Sequence, residues 1–141
     1  MNTFEDFNIK KQLRKAIDEL GFEKPTPIQQ ASYSTILGGS DFVGIAQTGT
    51  GKTIAYLLPI IQDLPYSNQL QPRVLILAPT RELVIQIVEQ VEILTPYLSV
   101  RVLGVYGGSN NIIAQKQALT QGVDIIVGTP RRLYDLALSN I

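Results

Sequence analysis

Apolar residues recur at helical spacing in the first forty or so positions and then gather into short continuous runs. Ile9, Leu13, Ile17 and Leu20 fall on one face of a helix predicted over residues 9 to 20, with charges opposite and Gly21 to stop it. Lys24-Pro25-Thr26-Pro27 reads as a rigid turn in which Thr26 is the N-cap and Pro27 the first helical position of a second helix. That helix runs from Ile28 to Leu37 and is closed by Gly38-Gly39. Beyond it, apolar runs predict strands at Phe42 to Ala46, Val74 to Ala78, Val100 to Val105 and Asp124 to Val127. Helices are predicted over residues 52 to 62, 81 to 95 and 111 to 120, with another starting near Pro130. Strands that are apolar throughout, without alternation, are those buried on both faces of a parallel sheet. Their interleaving with helices predicts an open α/β fold, a parallel sheet with helices on both faces. Two segments follow: a helical stretch over residues 1–39 and an α/β stretch over residues 40–141. The one loose connection is Pro65 to Pro72.

The first apolar run ends in A-Q-T-G-T-G-K-T, Ala46 to Thr53, between a predicted strand and a predicted helix. That context turns a short string into a phosphate-binding loop. Gly49 and Gly51 let successive backbone N–H groups converge on phosphate oxygens. The helix starting at Lys52 adds unpaired N–H groups and the positive end of its dipole. Lys52 is placed to reach the β- and γ-phosphates, and the Thr53 hydroxyl to ligate Mg²⁺. Ala46 stands where the strict motif has glycine, a small residue tolerable in extended backbone.

Composition narrows the picture. Lys plus Arg and Asp plus Glu number 12 each, so no global basic field holds a polyanion, and any nucleic-acid contact must come from a few placed residues. Cysteine and histidine are both absent, which removes disulfides and the usual zinc ligands. The acidic start, M-N-T-F-E-D-F, is unlike a secretory leader, and the apolar runs are too short for a membrane span. These features predict a soluble, cytoplasmic domain without membrane contact.

Four further strings complete a pattern. Phe4 lies upstream of G-F-E-K-P-T-P-I-Q at residues 21 to 29; P-T-R-E-L spans Pro79 to Leu83; Gly107-Gly108 follows the third run; T-P-R-R-L spans Thr129 to Leu133. With the phosphate loop, in this order and spacing, the chain resembles the first motor domain of a DEAD-box ATP-dependent RNA helicase from about Phe4 onward. The resemblance implies a RecA-like P-loop NTPase fold, ATP and Mg²⁺ as cofactors, and RNA as a partner held by its backbone without sequence preference. It implies that Gln29 reads the donor–acceptor edge of adenine while Phe22 stacks on the ring, with Phe4 packing nearby. ATP contacts are then expected from Phe22, Gln29, Ala46, Gln47, Thr48, Gly49, Thr50, Gly51, Lys52 and Thr53. RNA contacts are expected from Pro79, Thr80, Arg81, Gly107, Gly108, Thr129, Pro130 and Arg132. Thr80 is expected to cap the following helix. Arg131 stands where the family usually has glycine.

The D-E-A-D box, the later Ser-Ala-Thr string and a second motor domain do not occur in these 141 residues. The chain is therefore expected to be the N-terminal part of a longer helicase, with later strands of the sheet missing. Binding without hydrolysis is the expectation for this stretch alone, because no complete catalytic set is present. Without its neighbours the sheet is expected to be marginally stable and open to self-association. Two other readings stay open: another P-loop NTPase of the same superfamily, such as a DNA helicase, or a stand-alone, non-catalytic nucleotide-binding module.

Overall fold

The computed structural model describes residues 3–47, 49, 51–108 and 112–139. The chain divides into two compact units, residues 1–65 with 93–98, and residues 66–92 with 99–141.

In the first unit a 3-10 turn (Phe4–Phe7) leads into α1 (Lys11–Glu19), α2 (Pro27–Leu37) and α3 (Lys52–Gln62). Gly21, at φ +78°, ends α1. Its N–H donates to the Asp18 carbonyl and that of Phe22 to the Ile17 carbonyl, the paired closure of a Schellman motif. Thr26 and Gln29 form a reciprocal capping box at the start of α2, and Pro27 occupies the first turn. The core is built from Phe4, Phe7, Leu13, Ile17, Tyr33, Leu57, Leu58 and Ile61, all buried, with Phe7 stacked on Tyr33 at 4.4 Å.

Pro59 lies inside α3. A proline has no N–H, so the carbonyl four residues earlier, that of Ala55, loses its helical partner. The Ser32 hydroxyl of α2 donates to that carbonyl at 2.8 Å, and Ser32 is itself buried. A side chain on the neighbouring helix thus satisfies the bond that proline removes.

The second unit carries β1 (Val74–Leu77), α4 (Arg81–Leu94, its last two residues grouped with the first unit), β2 (Val102–Val105), α5 (Ile112–Thr120), β3 (Ile125–Gly128) and α6 (Pro130–Leu138). The strands form a parallel sheet in the order β1-β3-β2. Ile125 aligns with Val74 on one side and Val102 on the other. Central β3 is buried at every position, as its unbroken apolar run requires, whereas Leu75 and Leu77 of β1 are more than half exposed. Leu103, Val105, Val123, Ile126, Leu133 and Leu136 pack into one apolar cluster. At Gly128 an added Cβ would lie 2.6 Å from Val105 Cγ2 and 2.7 Å from Leu133 Cγ, so only glycine lets β2 and α6 close on β3.

One expected strand is not formed. Residues 42 to 46 are irregular, and Val43 and Ile45 are 88% and 92% exposed. A strand needs a neighbour to receive its N–H and C=O groups. Among the described residues this segment is hydrogen-bonded to no strand. Its apolar pattern is that of a buried strand.

At the N-terminal ends of the three strands sits a buried carboxylate. Asp124 directly precedes β3, Arg73 precedes β1, and Arg101 precedes β2. Arg73 Nη2 donates to Asp124 Oδ1 at 2.9 Å. Arg101 donates to Oδ1 through Nη2 at 3.1 Å and to Oδ2 through its backbone N–H at 2.9 Å. Burial alone would raise the Asp124 pKa, but the Arg101 side chain and backbone, followed by Arg73, outweigh it and hold the carboxyl at about 2. One side chain thereby ties the starts of all three strands.

Candidate nucleotide and nucleic-acid sites

The expected ATP residues belong to the first unit. Thr48 and Thr50 lie outside the described residues. Gly51 adopts φ +83°, a left-handed conformation that lets the chain turn sharply into α3, and as the N-cap residue it offers no side chain to that helix. The first-turn N–H groups of a helix have no partner within the helix and suit an anion. Lys52 is exposed, and Gln47 and Gly49 lie on the surface.

Gln29 is buried and ties α2 to this loop. Its Oε1 accepts from the Thr26 N–H at 2.9 Å, and its Nε2 donates to the Gly51 carbonyl at 3.3 Å. A Cβ on Gly51 would collide with the Gln29 amide, so the bond depends on glycine there. An amide offers two lone pairs and two N–H groups, so these bonds leave one of each. Phe22 is 39% exposed and lines an open cleft of about 320 Å³ together with Arg14, Asp18 and Gly21. Gln29 is not among the walls of that cleft. Phe4 is core, packed edge-on against Phe7 at 5.6 Å. The Thr53 side chain is hydrogen-bonded to Tyr56, whose phenol pKa is raised first by burial and partly lowered by that bond. A threonine hydroxyl in one such bond keeps a lone pair for a cation.

The expected RNA residues all lie in the second unit, at the C-terminal ends of its three strands. Pro79-Thr80-Arg81 follows β1, Gly107-Gly108 follows β2, and Thr129-Pro130 with Arg132 follows β3. Open parallel sheets place their ligands at this edge. Thr80 caps α4 through a 3.2 Å bond from the Leu83 N–H to its Oγ1. Thr129 makes no side-chain cap at the start of α6, and Pro130 lies in its first turn. The glycine pair lies between two guanidiniums. A Cβ on Gly107 would be 3.8 Å from Arg132 Nη2, and one on Gly108, at φ +86°, would be 3.7 Å from Arg81 Nη1. Arg131 points away into solvent and meets Asp135 at 3.4 Å.

Two residues absent from the sequence expectations support these arginines. The Tyr106 ring lies under the Arg81 guanidinium at 5.2 Å. Gln115, buried on α5, accepts from Arg132 Nη1 at 3.0 Å and donates to the Tyr106 carbonyl at 3.2 Å. Tyr106 could have been suspected from its place before the glycine pair. Gln115 carried no local signal.

The DEAD/DEAH box helicase family model matches residues 26–141, most of the chain. The chain belongs to the DEAD/DEAH box helicase family. Among curated proteins, the ATP-dependent RNA helicase DeaD of Haemophilus influenzae is 42% identical over 134 residues, 94% of this chain and 22% of that protein. DeaD of Escherichia coli K12 is 43% identical over 94% of this chain and 21% of its own length. The ATP-dependent RNA helicase RhlB of Shewanella woodyi is 42% identical over 98% of this chain and 32% of its own. The crystal structure of a DEAD box protein from the hyperthermophile Methanococcus jannaschii superposes with a TM-score of 0.91 at 35% identity. It covers 99% of this chain and 38% of that one. The fold is therefore the RecA-like α/β fold of DEAD/DEAH box helicases. The chain spans about a fifth to a third of the length of these curated relatives. No helix among the described residues is long and apolar enough to cross a membrane.

Proposed function

We propose that this DEAD/DEAH box helicase segment binds ATP with its first unit and the sugar-phosphate backbone of RNA with its second. It would serve a protein that unwinds or remodels RNA at the expense of ATP. The observation that carries the reading is the convergence of Arg81, Gly107-Gly108 and Arg132 at one edge of the sheet, with two guanidiniums bordering a glycine turn. Such a surface grips phosphate and sugar and carries no base sequence. Residues 1–39 would contribute the adenine-reading part, and residues 40–141 the phosphate loop and the RNA edge.

Lys52, the backbone of Gly49 and Gly51, and the start of α3 would hold the triphosphate, with the Thr53 hydroxyl toward Mg²⁺. A glycine N-cap in the left-handed conformation fits that role. When bound, ATP supplies the phosphoanhydride and Mg²⁺ spreads its charge. Gln29 would use its remaining lone pair and N–H on adenine while its other bonds hold the loop. These 141 residues contain no D-E-A-D string, so we propose that the segment alone binds ATP without turning it over.

Fluorescent ATP and GTP analogues titrated against the chain and its Lys52→Ala variant test the nucleotide half. ATP should bind more tightly than GTP, and Lys52→Ala should remove binding while circular dichroism stays unchanged. Equal affinity for the two nucleotides would overturn the adenine assignment. Unchanged ATP affinity in Lys52→Ala would overturn the phosphate-loop assignment. Anisotropy of a labelled single-stranded RNA, with rising salt weakening the complex, tests the other half.

A further inference from the structure

We propose that Gln115 is a positioning residue for RNA, acting through Arg132, with Tyr106 as the shared anchor of both arginines at the glycine turn. The inference rests on the RNA-backbone reading above. A surface arginine samples many rotamers, and fixing one costs entropy unless something holds it beforehand. Gln115 holds Arg132: its Oε1 takes one guanidinium N–H, and its Nε2 is fixed on the Tyr106 carbonyl. The bond uses the Nη1 side of the planar fork and leaves Nη2 toward Gly107. Tyr106 supports Arg81 in parallel, through its ring face.

A buried amide that merely pinned α5 to β2 would need only the Tyr106 bond. Here the second half of the amide turns to a residue on a third element, α6. The chemistry of the supports also matters. Both are neutral, an amide and an aromatic ring, and among the described residues neither arginine is paired with a carboxylate. A carboxylate in place of Gln115 would hold Arg132 more strongly, but it would cancel the charge that a phosphate needs. In a chain with no net charge, keeping two oriented and unneutralised cations at one turn is a way to bind a polyanion locally.

The test is a double-mutant cycle on the chain with a labelled oligouridylate, each affinity measured at several salt concentrations. Gln115→Met keeps the volume and removes both hydrogen bonds, and Gln115→Ala is the second variant should Met disturb packing. Arg132→Ala should weaken RNA about tenfold and flatten the salt dependence by about 0.7 in log–log slope, one phosphate contact on a single strand. Gln115→Met should weaken RNA roughly three- to fivefold with a similar loss of slope. Added to Arg132→Ala it should cost nothing more. Gln115→Glu should lose affinity as well, although it can still accept from Arg132. Additive effects in the double mutant, or a Gln115→Met slope equal to wild type, would overturn the positioning role. Absence of RNA binding by wild type, or wild-type affinity in Arg132→Ala, would instead overturn the underlying RNA assignment at this edge.

Discussion

Replacing Asp124 with asparagine removes one negative charge from the point where three strands begin. Its side chain is wholly buried, while those of Arg73 and Arg101 are 24% and 34% exposed. The carboxyl is held at about 2 against an ordinary 3.8, and a depression of that size corresponds to roughly 2–2.5 kcal/mol of native-state stabilisation at neutral pH. Breaking a buried pair by removing one partner commonly costs about 3–5 kcal/mol. Because both arginines can turn toward water, the lower figure governs, and Asp124→Asn should cost about 2–3 kcal/mol. The folded pKa lies below the unfolded one, so the contribution is complete above about pH 4 to 5 and is lost as pH falls toward 2. Near pH 3 about half of it should remain. Urea unfolding of both proteins, followed by circular dichroism between pH 6 and pH 3, measures this directly. The midpoints should be well separated at pH 6 and draw together as the buffer is acidified. A stability difference that stays constant over that range would refute the charge-based account and leave a packing defect as the cause.

Two other substitutions probe separate features of the fold. Ser32→Ala should destabilise by about 1–2 kcal/mol in the same unfolding assay, because the Ala55 carbonyl beside Pro59 loses its donor. Combined with Pro59→Ala, which restores the helical N–H, the Ser32 change should cost markedly less; equal costs in both backgrounds would contradict the compensation. Gly128→Ala drives a methyl into Val105 and Leu133 and should cost at least ~1–3 kcal/mol, read as a fall in thermal midpoint. A neutral result there would mean that β2 and α6 can separate without loss.

Much of the fold was legible because its signals are local. Helix α3 begins at Lys52 and ends at Gln62 as the sequence predicts, since a glycine turn marks its start and an apolar face its body. The Thr26–Pro27 start of α2 and the Thr80 cap of α4 are likewise decided within four residues. Residues 42 to 46 show the limit of such reading. Val43 and Ile45 have the composition of a buried strand, but strand formation depends on neighbours, which composition does not report. The bond from Ser32 to Ala55 spans 23 positions and the tie from Arg73 to Asp124 spans 51. Neither has any local signature. The same holds for Gln115: its spacing from Arg132 means nothing until β2 is known to lie beside β3.

The strand order also sets a schedule. In β1-β3-β2 the two outer strands are not paired with each other, and the strand that joins them is the last of the three in the chain. During synthesis β1 emerges roughly fifty residues ahead of its only partner among the described strands, several seconds at ~5–20 residues per second. Val74–Leu77 and Val102–Val105 both precede the described strand that pairs with them, which ends at Gly128. Among the described strands neither β1 nor β2 has its sheet partner until β3 follows, and Asp124, tied to Arg73 and Arg101, enters with it.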